Sequence, residues 1–205
     1  MIIPENFTNY NLKDKELEEY ILFCLMVFNK NANQTAAKLE NFLNWCHNID
    51  IDHFKTMSHF EVIRNKLKRH SAFEMVSKFR FGNTTVKSKG LEELANSKLN
   101  LRSCSPEELE KISGFGMKTS RYFILHTREN ARVACLDTHV LKWMKKFPFI
   151  FGEIKKGQPS RKKYLELEKK FLEVCDTSEV TPAQLDLKIW NLQRNSKKSG
   201  AIVAR

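Results

Sequence analysis

The chain has 205 residues, 35 Lys and Arg against 24 Asp and Glu, a formal net charge of +11 and 41% hydrophobic residues. That composition supports a packed interior and excludes wholesale disorder, and no apolar run approaches the roughly 20 residues that cross a bilayer. The longest apolar run, Tyr20 to Phe28, lacks the flanks of a secretion signal, so a soluble intracellular protein is expected. Along the chain, Leu17, Tyr20, Ile21, Cys24, Leu25 and Phe28 recur at helical spacing and predict a helix over 14–28. Asn31 to Asn33 interrupt it, and Ala36, Leu39, Phe42 and Leu43 predict a second helix over 35–46. Short helices follow over 60–67, 71–79 and 89–95. Ser105-Pro106-Glu107-Glu108 is a capping box with proline in the first turn, an explicit helix start. Further helices fit 118–127, 138–146, 162–174 and 183–191, and the only alternating stretch is 133–136. With 7 Gly and 5 Pro, a turn-rich β-sandwich is excluded and an all-α fold is expected.

The charge is uneven. Residues 61–90 hold eight basic and two acidic side chains, and residues 142–170 hold ten basic and three acidic, whereas residues 1–60 are net negative. Each lysine taken alone fits a solvated helix face. Two such segments flanking a phosphate-handling motif would instead form a groove for a polyanion, most simply nucleic acid. The five cysteines, at 24, 46, 104, 135 and 175, match no zinc or iron–sulfur spacing and are expected to be free, buried thiols.

The segment from Ser105 to Trp143 carries the chemistry. A capped helix ending at Ile112 leads into Ser113-Gly114-Phe115-Gly116, and a new helix begins near Met117. Gly114 and Gly116 let the backbone approach a ligand closely, and free N–H groups at a helix N-terminus suit a DNA phosphate. Phe115 would pack inward and lock the two helices. Lys118 follows in the first helical turn, where the helix dipole disfavours the protonated amine, as a nucleophilic lysine requires. Nineteen residues later, Asp137 in Leu136-Asp137-Thr138-His139-Val140 is a natural N-cap, a carboxylate fixed in direction and able to face a developing positive charge. The plainer alternative makes Lys118 a phosphate contact and Asp137 an ordinary cap.

ISGFGMKTSRYF (112–123) followed by CLDTHV (135–140) resembles the helix–hairpin–helix DNA glycosylase superfamily in its lysine-bearing branch. That resemblance implies a bifunctional DNA glycosylase and abasic-site lyase acting on double-stranded DNA with a damaged base. Lys118 and Asp137 would be the catalytic pair. The absence of a four-cysteine set after Asp137 and the presence of Lys118 point to the compact archaeal and bacterial 8-oxoguanine glycosylases, whose C-terminal Asp-Leu…Trp run is echoed by Asp186, Leu187 and Trp190. Glycosylases for oxidised pyrimidines or another modified base, and a non-catalytic hairpin module that only grips DNA, are the alternatives. The same resemblance implies DNA contacts from Gly114, Gly116, His139 and Lys142. It implies gap-filling by Asn33 and Gln34, with a simple helix cap as the other reading of Asn33. Trp190, Tyr122 and Phe171 would line the base pocket, although aromatics at helical spacing also serve as core.

The implied architecture is two helical subdomains flanking a DNA-binding cleft. One would be residues 29–136, with the helix–hairpin–helix at 105–127; the other would combine 1–28 with 137–205. No redox cofactor or iron–sulfur cluster is expected. Carbonyls of Glu110, Ile112 and Phe115 could hold a structural Na+ or K+, also by resemblance. A DNA-associated monomer with no membrane attachment is expected.

Overall fold

Helices supply all the regular structure of the computed structural model, which describes residue 2 and residues 8–28, 30–47 and 56–202, with side chains to 193; no strand occurs among them. The chain forms two compact units, Met1–Arg128 and Glu129–Arg205. No helix among the described residues is long and apolar enough to cross a membrane.

The first unit is built around α1 (Asp14–Val27). Ile21, Leu22, Phe23, Cys24, Leu25 and Met26 are all buried, so the C-terminal half of this helix is apolar on every side rather than along one stripe. It packs against α2 (Ala32–His47), α3 (His59–Leu67), α5 (Thr84–Asn96) and α7 (Met117–Thr127); α4 (Ala72–Lys78) packs on α5, and α6 (Pro106–Leu109) on α7. Reciprocal Ser/Glu caps start three of these: Ser58 with Glu61, Ser71 with Glu74 and Ser105 with Glu108. The α2 cap is Asn31, whose side-chain oxygen accepts the Gln34 N–H at 3.0 Å, so Asn33 lies inside the helix and is not its cap. Helix α5 begins at Thr84, five residues before the expected start, and α6 closes at Leu109 rather than Ile112.

The second unit opens with a non-helical run, 131–137, followed by α8 (Thr138–Met144), α9 (Pro148–Phe151), α10 (Arg161–Thr177) and α11 (Pro182–Ile202). The short α9 had no periodic signal. Helix α8 packs on α11, and α10 packs on both α9 and α11. Tyr164, Leu167, Phe171 and Cys175 form the buried stripe of α10.

The two compact units part at a different place from the expected division, after Arg128. Residues 131–136 are tied to α10: Arg132 forms a bidentate pair with Asp176 at 2.6 and 2.7 Å, and Ala134 and Leu136 bond to Glu168 and Tyr164. Helix α1 lies in the first unit, where α2, α3, α5 and α7 pack against it.

Not every basic side chain of 61–90 is solvated. Lys87 is fully buried, donating to the carbonyls of Met26 at 2.7 Å and Phe81 at 3.0 Å with its ammonium 4.5 Å from the Phe28 ring centroid. It thereby caps the last turn of α1 and holds the turn leading into α5. Burial, assisted by the charges of Lys30 and Lys38, brings its pKa down from 10.5 to about 8. Between those values the unfolded chain carries the extra proton, so this group makes stability rise with pH. Denaturant unfolding of wild type and Lys87→Met at pH 7 and near pH 10 should show the difference moving towards wild type by about 2 kcal/mol. A difference independent of pH would contradict the lowered pKa.

Candidate active site

The hairpin between α6 and α7 is fixed from three sides within the first unit. Gly114 has φ +91°, a region that favours glycine, and a Cβ there would lie 2.8 Å from Leu25 Cδ1 of α1. Helix α5 makes a closer approach: a Cβ on Gly90 would sit 2.1 Å from the Ser113 carbonyl oxygen, so no larger residue fits without moving the backbone. One turn along α5, Glu93 accepts the Ser113 N–H at 2.6 Å and its hydroxyl at 3.2 Å. On the far side, Arg121 of α7 is 2% exposed and pairs with Glu110 at 2.7 Å and Glu107 at 3.6 Å, clamping the two hairpin helices together. Phe115 is buried, as expected, and its N–H donates to the Ile112 carbonyl at 3.0 Å.

This clamping leaves the start of α7 open. Gly116 is the N-cap, no side chain caps the helix, and a Cβ on Gly116 would meet nothing within 4 Å. The first-turn N–H groups have no intrahelical acceptor and are available to an anion. A concavity of about 570 Å³ adjoins them, lined by Gly114, Phe115 and Gly116 of the hairpin, residues 83–86 and Phe28. Lys118 is exposed in that first turn, and its side chain makes no hydrogen bond or ion pair among the described residues. Its charge is felt by Cys24 of α1, whose thiol burial pushes far above its usual range.

In the second unit, Asp137 is the N-cap of α8, as expected. One carboxylate oxygen accepts the N–H groups of His139 and Val140, both at 2.8 Å, which fixes its direction. The backbone before it is equally fixed. The buried Tyr164 hydroxyl accepts the Leu136 N–H at 3.0 Å and donates to the Ala134 carbonyl at 2.8 Å, and Glu168 accepts the Ala134 N–H at 2.8 Å. A carboxylate held on a pinned backbone is pre-organised for electrostatic work.

The other expected residues divide between the units. Asn33 and Gln34 are exposed on the first turn of α2, while Tyr122 stacks on Tyr20 with centroids 6.4 Å apart and meets His126 edge-on. His139 and Trp190 are half-buried and Lys142 is exposed in the second unit. Phe171 is corrected to a core residue: it is 1% exposed on the buried stripe of α10 and packs edge-on against Trp143. Of the three carbonyls considered for a cation, that of Ile112 already accepts one hydrogen bond.

Sequence reasoning missed Gly90, Glu93, Arg121, Tyr164 and Glu168. A glycine inside a helix of a glycine-poor chain was a usable sign of close backbone approach. So was a glutamate on the apolar stripe of α10. The partners of Glu93 and Arg121 left no such sign, because they are set by tertiary packing.

The family model for Ogg-HhH, 8-oxoguanine DNA glycosylase, matches residues 4–180. The chain belongs to the 8-oxoguanine DNA glycosylase family. Among the relatives of this glycosylase chain, the 8-oxoguanine DNA glycosylase/AP lyase of Thermoplasma volcanium is 30% identical over 200 residues, covering 92% of this chain and 86% of that one. That of Picrophilus torridus is 26% identical, with 87% and 82% covered. The fold is shared with the crystal structure of the 8-oxoguanine DNA glycosylase of Thermotoga maritima, at a TM-score of 0.62 and 22% identity over 92% of this chain and 85% of that one. It is shared equally with the Methanocaldococcus jannaschii 8-oxoguanine glycosylase/lyase in complex with a 15mer DNA containing 8-oxoguanine, at 0.61 and 19% identity, with 93% and 87% covered.

The pinned approach to Asp137 generates a direct test. Tyr164→Phe removes both hydroxyl bonds and leaves a buried N–H and a buried carbonyl unpaired, which should destabilise the fold by about 1–3 kcal/mol. Base excision, measured in single-turnover reactions well below the lowered Tm, should slow as well. Unchanged excision would show that this anchor does not position Asp137.

Proposed function

We propose that this glycosylase excises 8-oxoguanine from duplex DNA and nicks the resulting site, with Lys118 as nucleophile and Asp137 as the stabilising carboxylate. The observation that carries this reading is Lys118 itself: an exposed amine without an ion pair among the described residues, in the first turn of a helix whose start is left open beside a glycine hairpin. The family relationship and the relatives named 8-oxoguanine DNA glycosylase/AP lyase support the reaction class.

In this scheme the hairpin N–H groups hold a backbone phosphate while the damaged nucleotide leaves the stack. The neutral Lys118 amine bonds to C1′, the N-glycosidic bond breaks, and the base departs with the electron pair and takes up a proton. Positive charge grows on the sugar as that bond breaks, and the Asp137 carboxylate steadies it. Opening of the sugar ring, with the C1′–O4′ electron pair leaving on O4′ and a proton passing from the amine nitrogen to that oxygen, converts the adduct to a protonated Schiff base. Loss of a proton from C2′ then expels the 3′ phosphate by β-elimination, which cuts the strand. Lysine supplies the electrophilic imine, so these steps call on no redox cofactor. Asn33 and Gln34 serve the vacated stack, His139 and Lys142 meet phosphates, and Trp190 and Tyr122 face the extruded base in this proposal.

Borohydride added to enzyme with 8-oxoguanine duplex should trap a covalent protein–DNA adduct. Lys118→Gln should abolish it and lower excision by on the order of a thousandfold or more. An adduct that persists in the variant removes Lys118 from the role. A panel including oxidised pyrimidine duplexes tests the lesion: no cleavage at 8-oxoguanine opposite cytosine would reject the assignment.

Asp137→Asn separates charge from structure, because asparagine caps a helix about as well as aspartate. Base release should slow by about 10²–10³-fold with duplex affinity and Tm near wild type. Equal loss of binding or folding would make Asp137 structural only.

A further inference from the structure

The turn after α8 exposes apolar surface that the glycosylase reading leaves unused. Lys145-Lys146-Phe147-Pro148-Phe149-Ile150-Phe151 follows directly, and Phe149 is 103% exposed, with Phe147 at 40% and Ile150 at 46%. This is not a loose loop. Pro148 starts α9, Gly152 ends it at φ +69° with its N–H on the Pro148 carbonyl at 2.8 Å, and the N–H groups of Ile150 and Phe151 return to Phe147 at 3.0 and 3.1 Å. Trp143 meets Phe147 at a tilt and the buried Phe151 edge-on, at 5.1 and 5.7 Å between centroids. One ring of the Phe-Pro-Phe-Ile-Phe run is buried as an anchor, and Phe149 is held out rigidly into water.

The flanks are cationic. Lys145 and Lys146 precede the turn, Lys155 and Lys156 follow it, and all four are exposed with no ion pair among the described residues. Glu153 is the only acid between them. An apolar tip ringed by unpaired ammonium groups complements a surface with regularly spaced anions and an apolar interior. A duplex offers phosphates for the lysines and a base stack for the ring, and proteins that enter the minor groove use such apolar wedges.

We propose that the α8–α9 turn is a further DNA contact, in which Phe149 enters the minor groove of undamaged duplex beside the lesion while Lys145, Lys146, Lys155 and Lys156 meet the phosphates. The inference rests on the reading of the chain as a duplex-DNA enzyme, and it adds a contact made by the second unit alone. Phe149 buries nothing in the protein, so its truncation leaves Tm unchanged and probes the contact cleanly.

Fluorescence anisotropy with full-length protein and an undamaged duplex of about 25 base pairs, over a salt series, tests it. Phe149→Ala should weaken binding about tenfold without changing the salt slope, and Phe149→Trp should restore it. Lys145→Gln with Lys146→Gln should reduce the slope of log K against log salt by about 2. Wild-type affinity in Phe149→Ala overturns the proposal. Phe149-dependent binding to phosphatidylserine vesicles, with duplex binding unaffected, also overturns it, in favour of a membrane surface. If wild type fails to excise 8-oxoguanine yet binds duplex through Phe149, the glycosylase reading falls and this contact stands.

Discussion

The contact between Gly90 and the Ser113 carbonyl governs the first unit. A hairpin of two glycines could wander, and an amine on a wandering helix start would meet a sugar carbon only occasionally. Helix α5 prevents that by lying against the hairpin backbone with no side chain between them, and Glu93 closes the gap with two hydrogen bonds to Ser113. Arg121 then binds the helices on either side of the hairpin through a buried ion pair. Such a pair does little for net stability once desolvation is counted, but removing one partner is costly. Its effect is geometric: the direction of α7, and so the place of Lys118, is set by three neighbours instead of by the loop.

The second unit solves the same problem with different chemistry. Backbone outside a helix or sheet offers N–H and carbonyl groups that need partners from elsewhere. Tyr164 and Glu168, one turn apart on α10, satisfy them in sequence up to the residue before Asp137. Asp137 then turns the chain into α8 by capping it. In each unit a catalytic candidate sits at the first residues of a helix whose approach is held by hydrogen bonds from another helix, from Glu93 of α5 in the first and from Tyr164 and Glu168 of α10 in the second.

Much of this was legible from residue order. The Ser105 box, the glycine hairpin and the Asp137 cap are local signals that lie where expected, and the helical periods located most of the helices though not their ends. Helix α1 shows where such reading stops. Its apolar spacing identified a helix, but Leu22, Phe23 and Met26 are buried as well, and only the packed structure makes it a central element of the first unit. Asn31 and Asn33 were equal as sequence letters; the position of the first turn decided between them. Lys87 read as surface charge, since nothing local reveals that two carbonyls and an aromatic face await it. Phe171 had the right chemistry for a base pocket, but packing places it on the buried stripe of α10.

Burial of Cys24 has a consequence for selectivity among nucleophiles. A sulfur anion on α1 would attack electrophilic carbon more readily than an amine and would also draw the Lys118 ammonium into a permanent partnership. Enclosed by apolar neighbours, the thiol keeps its proton at neutral pH despite the nearby positive charge. Under the proposed reaction, Lys118 would work beside a thiol that keeps its proton, and an aldehyde-bearing strand end would meet no thiolate from α1 that could capture it as a dead-end adduct.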